Sequence, residues 1–277
     1  QPGSCLRQMG NALAGRQFLD ERGFDQESAH HFGLGWAPRG GKDLGQHLVG
    51  HGFDRSVLIK AGLVREAGWD FFQGRLLWPI RDSGHNVVGF GARRIFDDDR
   101  MPAKYLNTPE TSLYKKSQVL YGVDLARKPI ATKRQVVVVE GYTDVMAMHL
   151  AGIDTAVASC GTAFGVEHIS VVRRLLGDVA GGAAGLSFSH QVARGGEVVF
   201  TFDGDAAGQK AALRAFDEDQ RFAVQTFVAV ARDGLDPCDL RLQRGDSALV
   251  DLVESREPLF EFAIRTALAA LDLATAE

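Results

Sequence analysis

The chain has 277 residues, of which 45% are hydrophobic and 24% charged, and this ordinary globular composition excludes a low-complexity or wholly disordered protein. No run approaches the roughly 18 consecutive apolar residues of a membrane-spanning helix, so no membrane is expected among its partners. The three cysteines, Cys5, Cys160 and Cys238, are too far apart for a disulfide framework or a zinc-ligand pair, and they favour a reducing, cytoplasmic location.

Charge is unevenly distributed along the chain. The net charge is -4 and the pI about 6.1. Residues 93–134, the basic segment, nevertheless hold ten Lys or Arg and only five acids, a local excess of +5 that leaves -9 for the remainder. Two interpretations stay open: a solvated surface, or a phosphate-binding face that works with a metal-binding carboxylate cluster.

Residues 1–130 predict an N-terminal mixed α/β lobe. Helical periodicity covers residues 13–32 and 47–63. Two β-rich runs at 75–80 and 87–92 flank a Ser-Gly-His-Asn turn and predict a hairpin. The Lys-, Asn- and Tyr-rich stretch that follows the hairpin predicts no regular element.

Residues 131–240 show a different pattern. Buried-looking strands at 136–139, 155–158, 198–202 and 222–230 alternate with helical segments. Strands without polar alternation, separated by helices, are typical of a parallel sheet that helices cover on both faces. The expected fold class is therefore α/β.

Two other segments complete the predicted organisation. Residues 181–196 are rich in Gly, Ala and Ser and predict a flexible inserted loop. Residues 241–277 predict a C-terminal helical lobe, with a break at Pro258. The prediction is thus three lobes, with the parallel sheet in the middle one.

Acidic residues follow two of the predicted buried strands. Glu140 comes directly after strand 136–139, and Asp203 and Asp205 follow strand 198–202. Ligands of open parallel sheets bind outside the carboxyl ends of the strands, so these acids are expected to converge. Converging carboxylates repel one another unless a cation lies among them, and oxygen ligands favour Mg²⁺, with Mn²⁺ as the alternative. Such a site serves phosphoryl transfer. An ordinary turn and N-cap would explain the two aspartates alone, but not the paired Glu-Gly motif.

Three motifs carry a resemblance to a known superfamily. They are Val-Val-Glu-Gly-Tyr-Thr-Asp-Val at 138–145, Gly-Thr-Ala at 161–163 and Phe-Asp-Gly-Asp-Ala-Ala-Gly at 202–208. Together they resemble the toprim domain, which is shared by bacterial primases, type IA and type II topoisomerases, some nucleases and recombination mediators. The resemblance implies that the middle lobe is a toprim-type parallel sheet flanked by helices.

The upstream residues narrow this resemblance. Trp-Pro-Ile-Arg-Asp at 78–82, Val-Gly-Phe-Gly-Ala-Arg at 88–93 and Lys-Tyr-Leu-Asn-Thr-Pro-Glu-Thr at 104–111 closely resemble the catalytic core of bacterial DNA primases. The likeness runs from about residue 16 to 265, apart from the loop at 181–196. It implies metal-dependent nucleotidyl transfer from ribonucleoside triphosphates, with pyrophosphate release, to make an RNA primer on single-stranded DNA.

The resemblance also implies residue roles. The residues that match the family's catalytic and metal-binding acids are Glu140, Asp203 and Asp205. Asp144 and Asp236 match further metal-binding acids, and in the Asp-Pro-Cys-Asp run the second acid of the family motif is displaced to Asp239. The residues that match the nucleotide- and template-binding ridge, which is expected to face the acids across a groove, are Arg75, Arg93, Lys104, Asn107 and Lys116. Tyr105 is open to two interpretations, base stacking or half-buried packing.

Partners follow from the same resemblance: a single-stranded DNA template, ribonucleoside triphosphates, the RNA primer product, and a replicative helicase bound by a domain absent from this chain. The protein is expected to be a monomer at the cytoplasmic replisome. Whole primases resemble this core flanked by a zinc-binding module and a helicase-binding domain, so the chain is expected to be a fragment.

Two alternatives compete with a primase. A topoisomerase or nuclease shares the acids, but a topoisomerase needs a tyrosine nucleophile on a DNA-gate domain, for which no segment remains. A recombination mediator would only bind DNA, and such proteins pair toprim with a cysteine zinc motif that this sequence lacks.

Overall fold

The structure, a computed structural model, describes residues 12–99, 101–177, 196–202, 225–231 and 234–270, with the side chains of residues 269 and 270 excepted. The helical segment predicted after strand 198–202 and nearly all of the predicted loop at 181–196 lie outside these ranges. The chain divides into two compact units, Gln1–Val119 with Cys160–Thr162, and Leu120–Ser159 with Ala163–Glu277. The predicted boundaries of three lobes stay a prediction.

The first unit is built on an antiparallel sheet. Its helices and strands, in chain order, are α1 (Leu13–Asp20), α2 (Gln26–His31), β1 (Gly35–Ala37), α3 (Asp43–Gly50), α4 (Arg55–Lys60), β2 (Arg75–Arg81), β3 (Val87–Arg94) and β4 (Tyr105–Asn107). The sheet order is β1-β2-β3-β4, and each neighbouring pair is antiparallel. The hairpin predicted from the turn residues is confirmed as β2 and β3.

Alternation along the strands sorts the side chains of this sheet onto two faces. Arg93 of β3 lies opposite Leu76 of β2 on one side and Tyr105 of β4 on the other. Successive residues of a strand point to opposite faces, so Arg93 and Tyr105 share a face. The neighbouring Ala92 points to the other face, where it packs with Phe72.

Side-chain oxygens cap two helices of this unit. Asp25 at the N-cap of α2 accepts a hydrogen bond from the Ser28 amide at 2.8 Å. The buried Asp70 accepts from the amides of Leu44 and Gly45, both at 2.9 Å, in the first turn of α3. A carboxylate distant in sequence thus satisfies donors that the helix itself leaves unpaired.

The second unit contains a mixed sheet with helices. Its elements are β5 (Leu120–Tyr121), α5 (Val123–Lys133), β6 (Gln135–Val139), α6 (Tyr142–Leu150), β7 (Ala156–Ser159), α7 (Val166–Leu175), β8 (Glu197–Phe202), β9 (Gln225–Val230), α8 (Pro237–Arg244), α9 (Asp246–Glu254), β10 (Glu257–Pro258) and α10 (Leu259–Ala270). Within the described ranges the strand order is β10-β9-β8-β6-β7-β5.

The α/β fold class is confirmed, with one refinement. The four central strands are parallel, as predicted, but β5 and β10 add antiparallel pairs at the two edges. Pro258 lies in β10 rather than inside a helix, as suits a residue that cannot donate to a ladder and therefore belongs at a sheet edge. The apolar strands of the centre are buried, with Val136 and Val198 fully enclosed.

None of the helices in the described part of the chain combines the length and apolar character that crossing a membrane requires.

Candidate functional site

Glu140 follows the central strand β6, at the point where the strand order of the second sheet reverses. From β6 the chain continues to β7 on one side, whereas β8 pairs with β6 on the other side and β9 lies beyond it. In an open α/β sheet such a reversal opens a crevice at the carboxyl ends of the strands. Glu140 directly follows β6 at this edge, and its side chain is exposed. The position suits a group that meets a ligand.

The other two predicted catalytic acids, Asp203 and Asp205, lie outside the described residues. β8 is described to its last residue, Phe202, and it runs parallel to β6 with Val138 level with Phe200. Continuing that register sets Glu140 level with Phe202, the residue before Asp203. The convergence of the three acids stays a prediction.

Asp144 is held inside the second unit. Its side chain is 5% exposed, and one carboxylate oxygen, Oδ2, accepts a 2.9 Å hydrogen bond from the Gly141 amide. The other, Oδ1, accepts a 3.3 Å bond from the Cys238 amide. Asp144 therefore joins the turn after Glu140 to the first turn of α8, and its predicted contact with a metal stays a prediction.

Asp236 lies beyond β9 and is the N-cap of α8. Its Oδ1 accepts a 2.7 Å hydrogen bond from the Asp239 amide. Asp239 therefore occupies the first turn of the helix, where the positive end of the helix dipole favours a carboxylate. Whether Asp239 replaces the displaced acid of the family motif stays a prediction.

The chemistry of these donors fits a divalent cation, which would bind outside the strand ends. Glu140 offers an exposed carboxylate at the switch point, and hard cations prefer such oxygen ligands. Within the residues that can be described, no three His, Cys, Asp or Glu side chains converge as a ready metal site. The metal-binding role of Glu140 therefore stays a prediction, supported by its exposed position at the strand end.

Among the predicted ridge residues, Arg93 lies between two aromatic rings. Its guanidinium carbon is 4.9 Å from the ring centroid of Phe18 and 5.2 Å from that of Tyr105. Its Nε is buried and has no hydrogen-bond partner among the described residues. Tyr105 also packs near Trp78, with a centroid separation of 6.4 Å, and remains 36% exposed. The packing interpretation of Tyr105 thus has direct contacts, and base stacking stays a prediction.

Arg75 is placed differently from Arg93. It is paired with Arg94 across β2 and β3, so its side chain points to the face opposite Arg93. The Nε of Arg75 is 2.8 Å from an Asp99 carboxylate oxygen, and the side chains are 1% and 12% exposed. Its terminal nitrogens donate to the carbonyls of Met101 and Ala103 at 2.9 and 3.1 Å. Contact with a template would require this buried ion pair to open.

The remaining ridge residues lie in the first unit. Asn107 donates a 2.8 Å hydrogen bond to the Cys160 carbonyl and so holds the Gly-Thr-Ala motif. Lys104 is exposed just before β4. The backbone amide of Lys116 donates to a Glu110 carboxylate oxygen at 2.9 Å.

The sequence analysis missed three arginines of this unit that lie over aromatic rings. Arg22 lies 4.0 Å over the same Phe18 ring that contacts Arg93. A cleft of about 540 Å³ also opens in the first unit, and its lining includes Arg39 and Arg65, each stacked on a ring, Phe96 and Phe71 respectively. Arg22 follows Phe18 by four residues and Arg65 precedes Phe71 by six, so the sequence carried a signal for these two pairs, whereas Arg39 and Phe96 are distant in sequence.

The comparisons with known proteins agree with this architecture. Residues 6–127 match the DNA primase catalytic core, N-terminal domain, and residues 134–230 match the Toprim domain. A DNA primase of Streptomyces coelicolor is 58% identical over 95% of this chain and 39% of its own length. One of Mycobacterium tuberculosis is 58% identical over 98% of this chain and 41% of its own. The chain thus spans about two fifths of these relatives.

Solved structures give the same result. The RNA polymerase domain of Mycobacterium tuberculosis primase DnaG is 57% identical, with a TM-score of 0.87 over 97% of this chain and 84% of that one. A DnaG primase catalytic domain bound to single-stranded DNA is 32% identical, with a TM-score of 0.80 over 97% of this chain and 80% of that one. Fold and site together define a toprim protein with a primase-type N-terminal unit. The chain belongs to the bacterial DNA primase family, whose catalytic core it matches along nearly all of its length.

Proposed function

We propose that this chain carries the active site for RNA primer synthesis on single-stranded DNA. The observation that supports the proposal most directly is Glu140, an exposed acid at the switch point of a sheet that matches the Toprim domain. In the proposed reaction a 3′-hydroxyl attacks the α-phosphate of a ribonucleoside triphosphate. The 3′-oxygen gives up its proton to water and bonds to the α-phosphorus, the bond from that phosphorus to the oxygen bridging the β-phosphate breaks, and pyrophosphate leaves.

The metal is proposed to be Mg²⁺, with Mn²⁺ as the alternative. When bound, such ions polarise the phosphate and stabilise charge on the attacking and leaving oxygens. Glu140 and, by family resemblance, Asp203 and Asp205 would hold them. Asp144 fixes the Gly141 turn, so it would set the position of Glu140 whether or not it touches a metal.

Single-stranded DNA is the proposed template, and the cleft of the first unit offers it arginine and aromatic side chains. Arg65 and Arg39 lie over the rings of Phe71 and Phe96, although Arg39 also pairs with Asp98, and beside the cleft Lys42 lies 4.6 Å over the partly exposed Trp69. Positive charge follows a phosphate backbone, while aromatic faces stack on bases without reading their sequence. Two solved relatives are DNA complexes: the tuberculosis polymerase domain with duplex DNA carrying an overhang, and a DnaG domain with single-stranded DNA.

Three of the four tyrosines are too buried to serve as the nucleophile that a topoisomerase needs. Tyr114, Tyr121 and Tyr142 are at most 5% exposed, and burial raises the pKa of Tyr114. A buried, protonated phenol is a poor nucleophile toward a DNA backbone. The helicase partner, the monomeric state and the replisome location stay predictions.

The test is incorporation of labelled ribonucleotides on a single-stranded template with Mg²⁺, using the intact protein. Glu140→Gln and Asp203→Ala are each expected to lower the rate by at least about 10²-fold, the scale of losing a key electrostatic group. Glu254→Gln, an exposed acid in another part of the same unit, is the matched control and should retain the rate. Rates that match the unsubstituted protein in both site variants would contradict the proposal.

A further inference from the structure

We propose that Phe18 and Tyr105 form an aromatic clamp, a pair of positioning residues that hold the guanidinium of Arg93 ready for a phosphate group. The inference rests on the proposed function, because the phosphate belongs to an incoming nucleotide or to a nucleic-acid backbone. It goes further by assigning a role in that recognition to two uncharged residues.

The clamp comes from two different elements of the first unit. Tyr105 is the cross-strand partner of Arg93 in the sheet, so the ladder between β3 and β4 fixes one wall. Phe18 comes from α1 and is 9% exposed, which makes it a buried and therefore well-ordered second wall. The rings lie 5.2 and 4.9 Å from the guanidinium carbon, within the range of a cation–π contact.

The clamp holds the cation without neutralising its charge. Over the described residues, no carboxylate lies within ion-pair distance of Arg93, and its Nε is buried without an acceptor. Arg75, in the same sheet, has Asp99 and two carbonyls around its guanidinium instead. A half-buried arginine that keeps both its charge and its donors is suited to an anion, and the planar fork matches two phosphate oxygens.

A second arginine strengthens the preference for a polyanion. The guanidinium carbon of Arg22 lies 4.0 Å over the Phe18 ring that also contacts Arg93. Two cations that share one ring, with no acid paired to either in the described part of the chain, create a local positive potential. A triphosphate or two successive backbone phosphates would relieve it.

The test compares Tyr105→Leu and Phe18→Leu with Tyr105→Phe and Phe18→Tyr, which keep the ring, in the intact protein. One arm measures kcat and KM for ribonucleoside triphosphates at saturating template. The other measures the Kd of a labelled single-stranded oligonucleotide without nucleotides. We expect the leucine variants to raise KM or Kd by about 3- to 30-fold, the equivalent of one cation–π contact, with kcat nearly unchanged. The ring-retaining variants should remain close to the unsubstituted protein. A rise in KM alone identifies nucleotide phosphate, and a rise in Kd identifies backbone phosphate.

A double-mutant cycle separates positioning from a merely structural role. If the clamp acts through Arg93, Tyr105→Leu has no further effect on KM or Kd in an Arg93→Ala background. Unchanged KM and Kd in both leucine variants, or an equal loss with and without Arg93, would overturn the inference. Thermal melting of every variant identifies any that fail to fold, and Tyr105 tolerates change best because it is 36% exposed on an edge strand. The oligonucleotide arm needs no catalysis, so it tests the clamp on backbone phosphate even if the protein makes no primers.

Discussion

Burial determines what the two arginines of the first sheet can do. Arg75 is 1% exposed and pairs with Asp99, whereas Arg93 lies half-buried between rings and pairs with no acid in the part of the chain that the structure describes. Both are charged residues in β-strands, and the sequence alone assigned both to one ridge. Their partners come from distant parts of the chain, so only the folded register shows that they point to opposite faces.

Removing the acid of the buried pair should reveal its structural role. Asp99→Asn leaves the Arg75 charge buried without its anion, and we expect the free energy of unfolding to fall by about 2–4 kcal/mol. Urea denaturation of the intact protein measures this. Asp98→Asn is the matched control, because Asp98 pairs with Arg39 at the surface and exposed pairs contribute at most about 1 kcal/mol. Equal losses in the two variants would show that burial does not distinguish these pairs.

At the scale of elements, the sequence predicted the longer strands correctly and missed the strands of two or three residues. The runs that became β2, β3, β6 and β8 combine β-branched or aromatic residues with clear turns, so their sequence sufficed. β1, β4 and β5 are two or three residues long, and they exist because a neighbouring strand supplies hydrogen bonds.

Helix α5 also escaped prediction, for a tertiary reason. It contains Pro129, which costs about 3 kcal/mol in a helix interior and normally argues against one. Its Val123, Ala126 and Ile130 are nearly or fully enclosed in the core of the second unit. Burial of these three side chains offsets the proline.

For the site, the position of Glu140 at the end of a strand could be predicted from the sequence, whereas the hydrogen bonds of Asp144 to two separate turns could not.

Gly161, in the segment after β7, lies close to the side chain of Asn107. Gly161 has φ of +71°, and a Cβ there would lie 2.5 Å from the Asn107 amide nitrogen. Gly161→Ala should therefore displace Asn107 from the Cys160 carbonyl and add left-handed strain of about 1–2 kcal/mol. We expect a lower melting temperature together with reduced primer synthesis. Gly152→Ala is the control, because it has a comparable φ of +86° but open space around it. If both variants lose activity equally, backbone strain rather than the Asn107 contact is responsible.

Across the whole molecule, the charge of the basic segment has the opposite sign to the net charge of the chain. The net charge of -4 opposes DNA binding, yet the basic segment carries an excess of +5. Binding should therefore depend on where a positive charge lies rather than on how many the chain has.

The dependence of the binding constant on salt concentration measures this effect. Each phosphate that a basic residue contacts on single-stranded DNA contributes about 0.7 to the slope of log K against log salt concentration. Lys104→Gln removes an exposed charge of the basic segment and should lower the magnitude of the slope by about that amount, measured by fluorescence anisotropy with an oligonucleotide. Arg265→Gln changes the net charge equally, but Arg265 pairs with Glu257 on the second unit, so its slope should match the unsubstituted protein. Equal changes in both variants would mean that net charge, not the basic segment, governs binding.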